Sequence, residues 1–106
     1  MDLRYEDEVA VLRVRGTVDP ACVHAVRERI GELPERSACV VVDLGDARDV
    51  QHVALATLAE DAAHRVTPRV VLKGLCEQHV RMLRCLGIDV ETRLSRPGRL
   101  LAQADA

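Results

Sequence analysis

Between Val9 and Thr92, short apolar runs alternate with longer stretches patterned at helical spacing, and this alternation constrains the fold more than any other feature. Strands separated by single helices pair in parallel as neighbours, and chain chirality makes the crossovers right-handed. Residues 39–44 (CVVVDL) are the clearest strand, a continuous apolar run expected to be central and buried on both faces or nearly so. Residues 9–16 (VAVLRVRG) form another, alternating from Val11 onward, with Leu12 and Val14 on one face and Arg13 and Arg15 on the other. A short strand at residues 3–5 precedes it, with Glu6-Asp7-Glu8 as the turn, so the first pair is antiparallel and the sheet is mixed. Residues 69–72 (RVVL) and 88–92 supply the remaining strands.

The helices carry their own punctuation. Asp19-Pro20 is a helix start, a capping carboxylate followed by proline at the first helical position. Behind it Val23, Val26 and Ile30 share one stripe, with Arg27, Glu28 and Arg29 mostly outside it, and the helix ends near Gly31. Residues 45–49 are expected to be a polar loop. A second helix runs from Val50 or His52 to His64, with Leu55, Leu58, Ala59 and Ala62 on its inner side, before Thr67-Pro68 breaks the pattern. A third, residues 77–86, is expected to bury Val80, Leu83 and Leu86 and to be closed by Gly87. Pro97-Gly98 punctuates the tail, and residues 99–106 are expected to form a short helix. The order is ββαβαβαβ, an α/β chain with a mixed four- to five-stranded sheet and helices mainly on one face. One domain is expected, with its core at about residues 3–93 and a C-terminal tail at 94–106.

Composition narrows the function classes. The 106 residues suffice for one core, and its aliphatic side chains suit thin helix-on-sheet layers: there is no Phe or Trp and only Tyr5. Stacking platforms for single-stranded nucleic acid are therefore lacking. The formal net charge is −2 and the basic residues are scattered, so direct nucleic acid binding is not expected. No apolar run approaches the roughly 20 residues that span a bilayer, so membrane insertion is not expected either. The start, Met1-Asp2-Leu3-Arg4, lacks the apolar segment of a secretion signal; a cytoplasmic protein with reduced Cys22, Cys39, Cys76 and Cys85 is expected.

The chain resembles the STAS domain, shared by anti-sigma factor antagonists and the cytosolic portions of some anion transporters. Gly16-Thr17-Val18-Asp19 is similar to the family's Gly-x-Leu-Asp before a helix. Val40-Val41-Val42-Asp43-Leu44 matches its apolar strand ending in Asp-Leu or Asn-Leu, a helix follows at similar spacing, and Leu86-Gly87-Ile88 matches the end of its next helix. The resemblance implies a non-enzymatic regulatory interaction module whose partner is a regulatory protein such as an anti-sigma factor or its kinase. Typical antagonists carry Asp-Ser-Ser-Gly at the start of the second helix, where the first serine is phosphorylated. The equivalent positions here are Gln51, His52, Val53 and Ala54, with His52 in the phosphoacceptor-equivalent position. A phosphate at a helix start is favoured by the unpaired amides and repels an acidic partner surface, so losing the serine removes that switch.

The resemblance places the partner surface at Asp19, Asp49, Val50, Gln51, His52, Val53 and Ala54. His52 has three readings: a polar residue flanking a helix, a partner contact without a switch, or a modified or pH-responsive site. Asp19 is read as the cap of the first helix, with a partner contact as a compatible added role. Thr57 lies about a turn inside the helix, where a kinase reaches poorly. Cys22 and His24 diverge on a helix, and Cys76 with His79 makes only one close pair beside a cap position, so no metal or cofactor is expected. Cys39 and Cys85 are expected to pack, and Glu60-Asp61 to serve solvation. No Gly-rich phosphate loop and no nucleophile elbow is present, and no enzyme is expected. An accessory subunit of an ABC-type lipid transport system is the alternative, with a scaffold subunit of a larger signalling complex as a third; a homodimer is left open.

Overall fold

The computed structural model describes residues 1–34 and 37–94, so the expected helix at 99–106 and the Pro97-Gly98 punctuation lie outside the described residues. The apolar runs become five strands of one sheet: β1 (Asp2–Glu6), β2 (Val9–Val18), β3 (Cys39–Val50), β4 (Arg69–Leu75) and β5 (Glu91–Leu94). Between them lie α1 (Pro20–Gly31), α2 (His52–Ala63) and α3 (Glu77–Cys85). Spatial order equals chain order, with β1 antiparallel to β2 and every later pair parallel. When successive strands always step the same way, right-handed crossovers deposit every helix on one face. The core shows it. Val23, Val26 and Ile30 of α1, Leu55, Leu58 and Ala59 of α2, and Leu83 of α3 pack with Ala10, Leu12, Val40, Val42, Val70 and Leu72.

Several local expectations change. Residues 45–49 are no loop: β3 continues through them, pairing from Arg15↔Asp46 to Val18↔Val50. Two irregularities, between Arg13 and Arg15 and between Gly16 and Thr17, shift the register, so the polar extension loses the strict alternation that marks a strand. The 39–44 run is not buried on both faces, because Val41 and Asp43 are half-exposed on the side away from the helices. The last strand begins at Glu91 rather than at 88. Gly87, at φ +73°, ends α3 in a Schellman arrangement: the Ile88 amide donates to the Leu83 carbonyl (2.9 Å) and the Gly87 amide to that of Arg84 (3.0 Å). That turn leaves Leu86 exposed, against expectation, and half-buries Ile88 in its place.

One glycine is needed for both conformation and space. Gly74 sits in β4 at φ +84°, and a Cβ there would lie 2.7 Å from the Gly45 Cα and closer still to its amide nitrogen. Here β4 crosses tightly over β3 just past their last aligned pair, Asp43↔Lys73. Gly74→Ala combines left-handed strain with a backbone clash and is expected to cost roughly 2–4 kcal/mol of stability, read from the urea unfolding midpoint.

Candidate functional site

Three strand-to-helix junctions lie at the C-terminal ends of the parallel strands, where β2 enters α1, β3 enters α2 and β4 enters α3. Each leaves unpaired helix amides facing outward. The first is closed locally: Asp19 is extended, its Oδ1 accepts from the Cys22 amide (2.8 Å), and Pro20 follows as a helical residue with no N–H to satisfy. The Asp19 carbonyl accepts from the Val23 amide at 3.0 Å. The Cys22 thiol is pushed above its ordinary range, by burial first and then by the Asp19 charge, so it stays protonated and is a poor nucleophile.

The second junction is tied to the first. The Gln51 amide donates to the Val18 carbonyl (3.0 Å), and the Gln51 carbonyl accepts from the Leu55 amide (2.9 Å). With Val18 paired to Val50, Asp19 is brought beside the start of α2. No side chain caps α2. Asp49, Gln51 and His52 are exposed, Val50 is half-buried, and Val53 is 78% exposed, an unusual state for a valine at a helix start. Ala54, by contrast, is 2% exposed and packs in the core, so the expectation that it meets a partner is corrected: a helix turns about 100° per residue, which carries position 54 inward. The Thr57 hydroxyl donates to the Val53 carbonyl (2.9 Å), an internal helix bond.

The sequence reading placed no partner role on His79. Its ring stands edge-to-face with that of His52, centroids 5.9 Å apart at 81°, joining the starts of α2 and α3. His79 is half-buried, and its pKa lies below the ordinary 6.5, because burial disfavours the imidazolium and a charge on His52 would repel it. The available signal was topological: adjacent parallel strands β3 and β4 place their following helix starts side by side.

Other residues settle differently from expectation. Cys85 is exposed rather than packed. Asp61 is half-buried and bridges α1 to α2 through Arg27 (3.6 Å) and Arg65 (3.2 Å), beyond mere solvation. Cys22 turns partly inward while His24 faces Glu28 (2.6 Å). Cys39 is buried on β3, and Cys76 is exposed at the start of α3 with no capping bond from its side chain. Among the described residues, no group of three or more His, Cys, Asp or Glu converges as a metal site.

Two outcomes are expected from this geometry. Asp19→Ala should cost about 1 kcal/mol by leaving the Cys22 amide unpaired, while Asp19→Asn should cost far less, both read by thermal unfolding. The second concerns pH. Because the folded pKa of His79 is depressed, the unfolded chain binds more protons just below 6.5. Its contribution to stability is therefore present above that value and lost as pH falls through it toward the depressed pKa. His79→Gln should flatten this part of the stability profile. In an NMR titration, His52→Ala should raise the His79 pKa only in part, since burial is the larger cause.

A protein-family model described as Mlab, STAS domain, matches residues 1–101. No significant match is found among curated proteins. Among solved structures, the anti-sigma factor antagonist SpoIIAA in its unphosphorylated form aligns with a TM-score of 0.61 at 13% identity, covering 99% of this chain and 97% of that one. The crystal structure of a protein named Mglu aligns with a TM-score of 0.51 at 18% identity, covering 92% of this chain and 20% of that one. At such identities the structural likeness shows the fold, and the sheet with its three helices is the architecture of the antagonist. Matched by the family model across nearly its whole length, the chain belongs to the STAS domain family.

Proposed function

We propose that this chain is a non-enzymatic, cytoplasmic regulatory module that docks on a partner protein through the starts of α1 and α2, with no serine switch at that surface. The observation that carries the reading is the exposed Val53, flanked by His52 and held beside Asp19 by the Gln51–Val18 backbone bond. An exposed apolar side chain ringed by polar groups is the makeup of a small docking patch. The docking residues are Asp19, Asp49, Val50, Gln51, His52 and Val53. His79 extends the patch toward α3. The uncapped start of α2 favours acidic groups on the partner.

With no hydroxyl among residues 51–54, binding is constitutive or regulated elsewhere. An anti-sigma factor or its kinase is the partner the fold favours, and release of a sigma factor would be the output. No helix among the described residues is long and apolar enough to cross a membrane, which accords with a module acting in solution. The second reading, an accessory of a lipid-transporting ABC ATPase, is kept in play by the family model, which is described as Mlab and not as an anti-sigma factor antagonist.

The deciding experiment is a tagged pull-down from native lysate with mass spectrometry, comparing the wild type with Asp19→Ala/His52→Glu. A regulatory kinase or anti-sigma factor lost from the double variant supports the first reading, and a transporter ATPase supports the second. If nothing specific is captured, the docking reading fails. Once a partner is identified, Val53→Asp is expected to weaken it about tenfold or more, measured by calorimetry. The folded state should tolerate that change, because an acidic residue in the first turn complements the helix dipole.

A further inference from the structure

The turn that follows α3, from Leu86 to Asp89, separates two hollows. On the α2 side, Ala56, Glu60, Ala63, His64, Ile88 and Asp89 line an open hollow of about 500 Å³, with Leu86 beside them. On the β5 side, Val80, Arg84, Val90 and Thr92 line a second, of about 370 Å³, which shares Ile88 and Asp89. Leu86 is 58% exposed, because the left-handed Gly87 ends the helix just past it and turns Ile88 inward instead. A large aliphatic side chain thus stands in water next to a hollow lined in part by small apolar residues. The charges around the turn are unmatched as well. On other faces opposite charges meet within the chain: Asp61 joins Arg27 and Arg65, Arg13 meets Asp46, and Arg69 meets Glu91. Among the described residues, Glu60, Arg84 and Asp89 make no ion pair. The α2-side hollow holds the carboxylates of Glu60 and Asp89 with no Lys or Arg, while Arg84 lies in the other hollow, across the turn.

We propose that this turn is the contact between two copies of the chain, related by a twofold axis beside Leu86. In such a contact, groups on opposite sides of the axis meet, residue i touching j and j touching i. Leu86 of each copy enters the α2-side hollow of the other, and Arg84 of each meets Glu60 of the other. One patch carries both halves of the fit, a projecting leucine with a hollow and an acid with a base on opposite sides of that leucine. A second copy answers all of these at once, and that self-complementarity is why the occupant is this chain rather than a different protein. The leucines form the apolar centre and the ion pairs the polar rim, the usual anatomy of an interface. Val53 and Ala63, toward opposite ends of α2, lie about 15 Å apart, so the contact leaves the docking patch at the helix start open. The inference therefore stands whether or not that patch is correctly assigned.

Sedimentation velocity on the full chain, over a concentration series from micromolar toward millimolar, tests this. The wild type is expected to pass from monomer to dimer along the series, and a chain that stays monomeric throughout overturns the proposal. Leu86→Asp is expected to weaken dimerisation about tenfold or more. A dimer indifferent to that change overturns the proposal, by placing the contact on another face. Glu60→Arg and Arg84→Glu should each weaken the dimer, since each sets like charges against one another across the axis. Combined in one chain, the two reversals should restore association to within about threefold of the wild type, because the pair is remade with its signs exchanged. If the combined variant stays as weak as the single ones, the proposed pairing is wrong and the contact falls with it. Glu60, Arg84 and Leu86 are all exposed, so thermal unfolding should be unchanged in every variant. Should Leu86→Asp fail to fold, Leu86→Ser takes its place in the same comparison, with the same two outcomes.

Discussion

The parallel register between β2 and β3 is the constraint on which the rest depends. It continues past the apolar run into charged sequence, through Thr17↔Asp49 and Val18↔Val50, and ends in the bond from the Gln51 amide to the Val18 carbonyl. Two helices therefore begin side by side at one edge, and their starting residues become neighbours although they are far apart in the chain. A loop at 45–49 would have left Asp19 and His52 on independently placed helix starts. Backbone pairing, which satisfies every amide it engages, fixes the relation without a specific side-chain contact. Polar residues can then occupy the extension and the surface beside it without loosening the geometry.

A second consequence follows from strand order. A sheet that adds strands in one direction through right-handed crossovers places all its helices on one face, and a chain of this length makes its single core there. Aliphatic side chains allow the helices to approach closely, with Ala54, Ala59 and Ala62 of α2 buried in the core. The opposite face has no crossover helix to use. It carries a narrow block of Val9, Val11, Val41 and Val71 framed by charged residues.

Much of this was legible in the sequence, and the failures share one cause. Asp19 was readable because a cap has a local signature, an acceptor followed by proline, and its bond to the Cys22 amide is local too. The inner stripes of α1 and α2 were readable because periodicity is local. Residues 45–50 were missed because their strand character comes from β2, some thirty residues away, and two register shifts erased the alternation. Leu86 kept the helical period on paper, but the turn at Gly87 swung it outward. Ala54 was grouped with its exposed neighbours by position alone, and helical rotation separates it from them. His79 needed the contact between two helix starts, which only the order of β3 and β4 supplies.

The histidine at the start of α2 alters what this surface can respond to. A phosphorylated serine there would carry about two negative charges into the field of helix amides, a change large enough to expel a partner. His52 offers no hydroxyl at that place, so the phosphoserine change is not open to it. Its neighbour His79 is half-buried, and its pKa is lowered by burial first and by His52 second. The two rings meet edge-to-face and join the starts of α2 and α3. In the proposed reading the surface is accordingly set for steady contact, its specificity resting on Val53 and its orientation on Asp19. Control, where it exists, would act on the partner or on the abundance of this chain rather than on the patch itself.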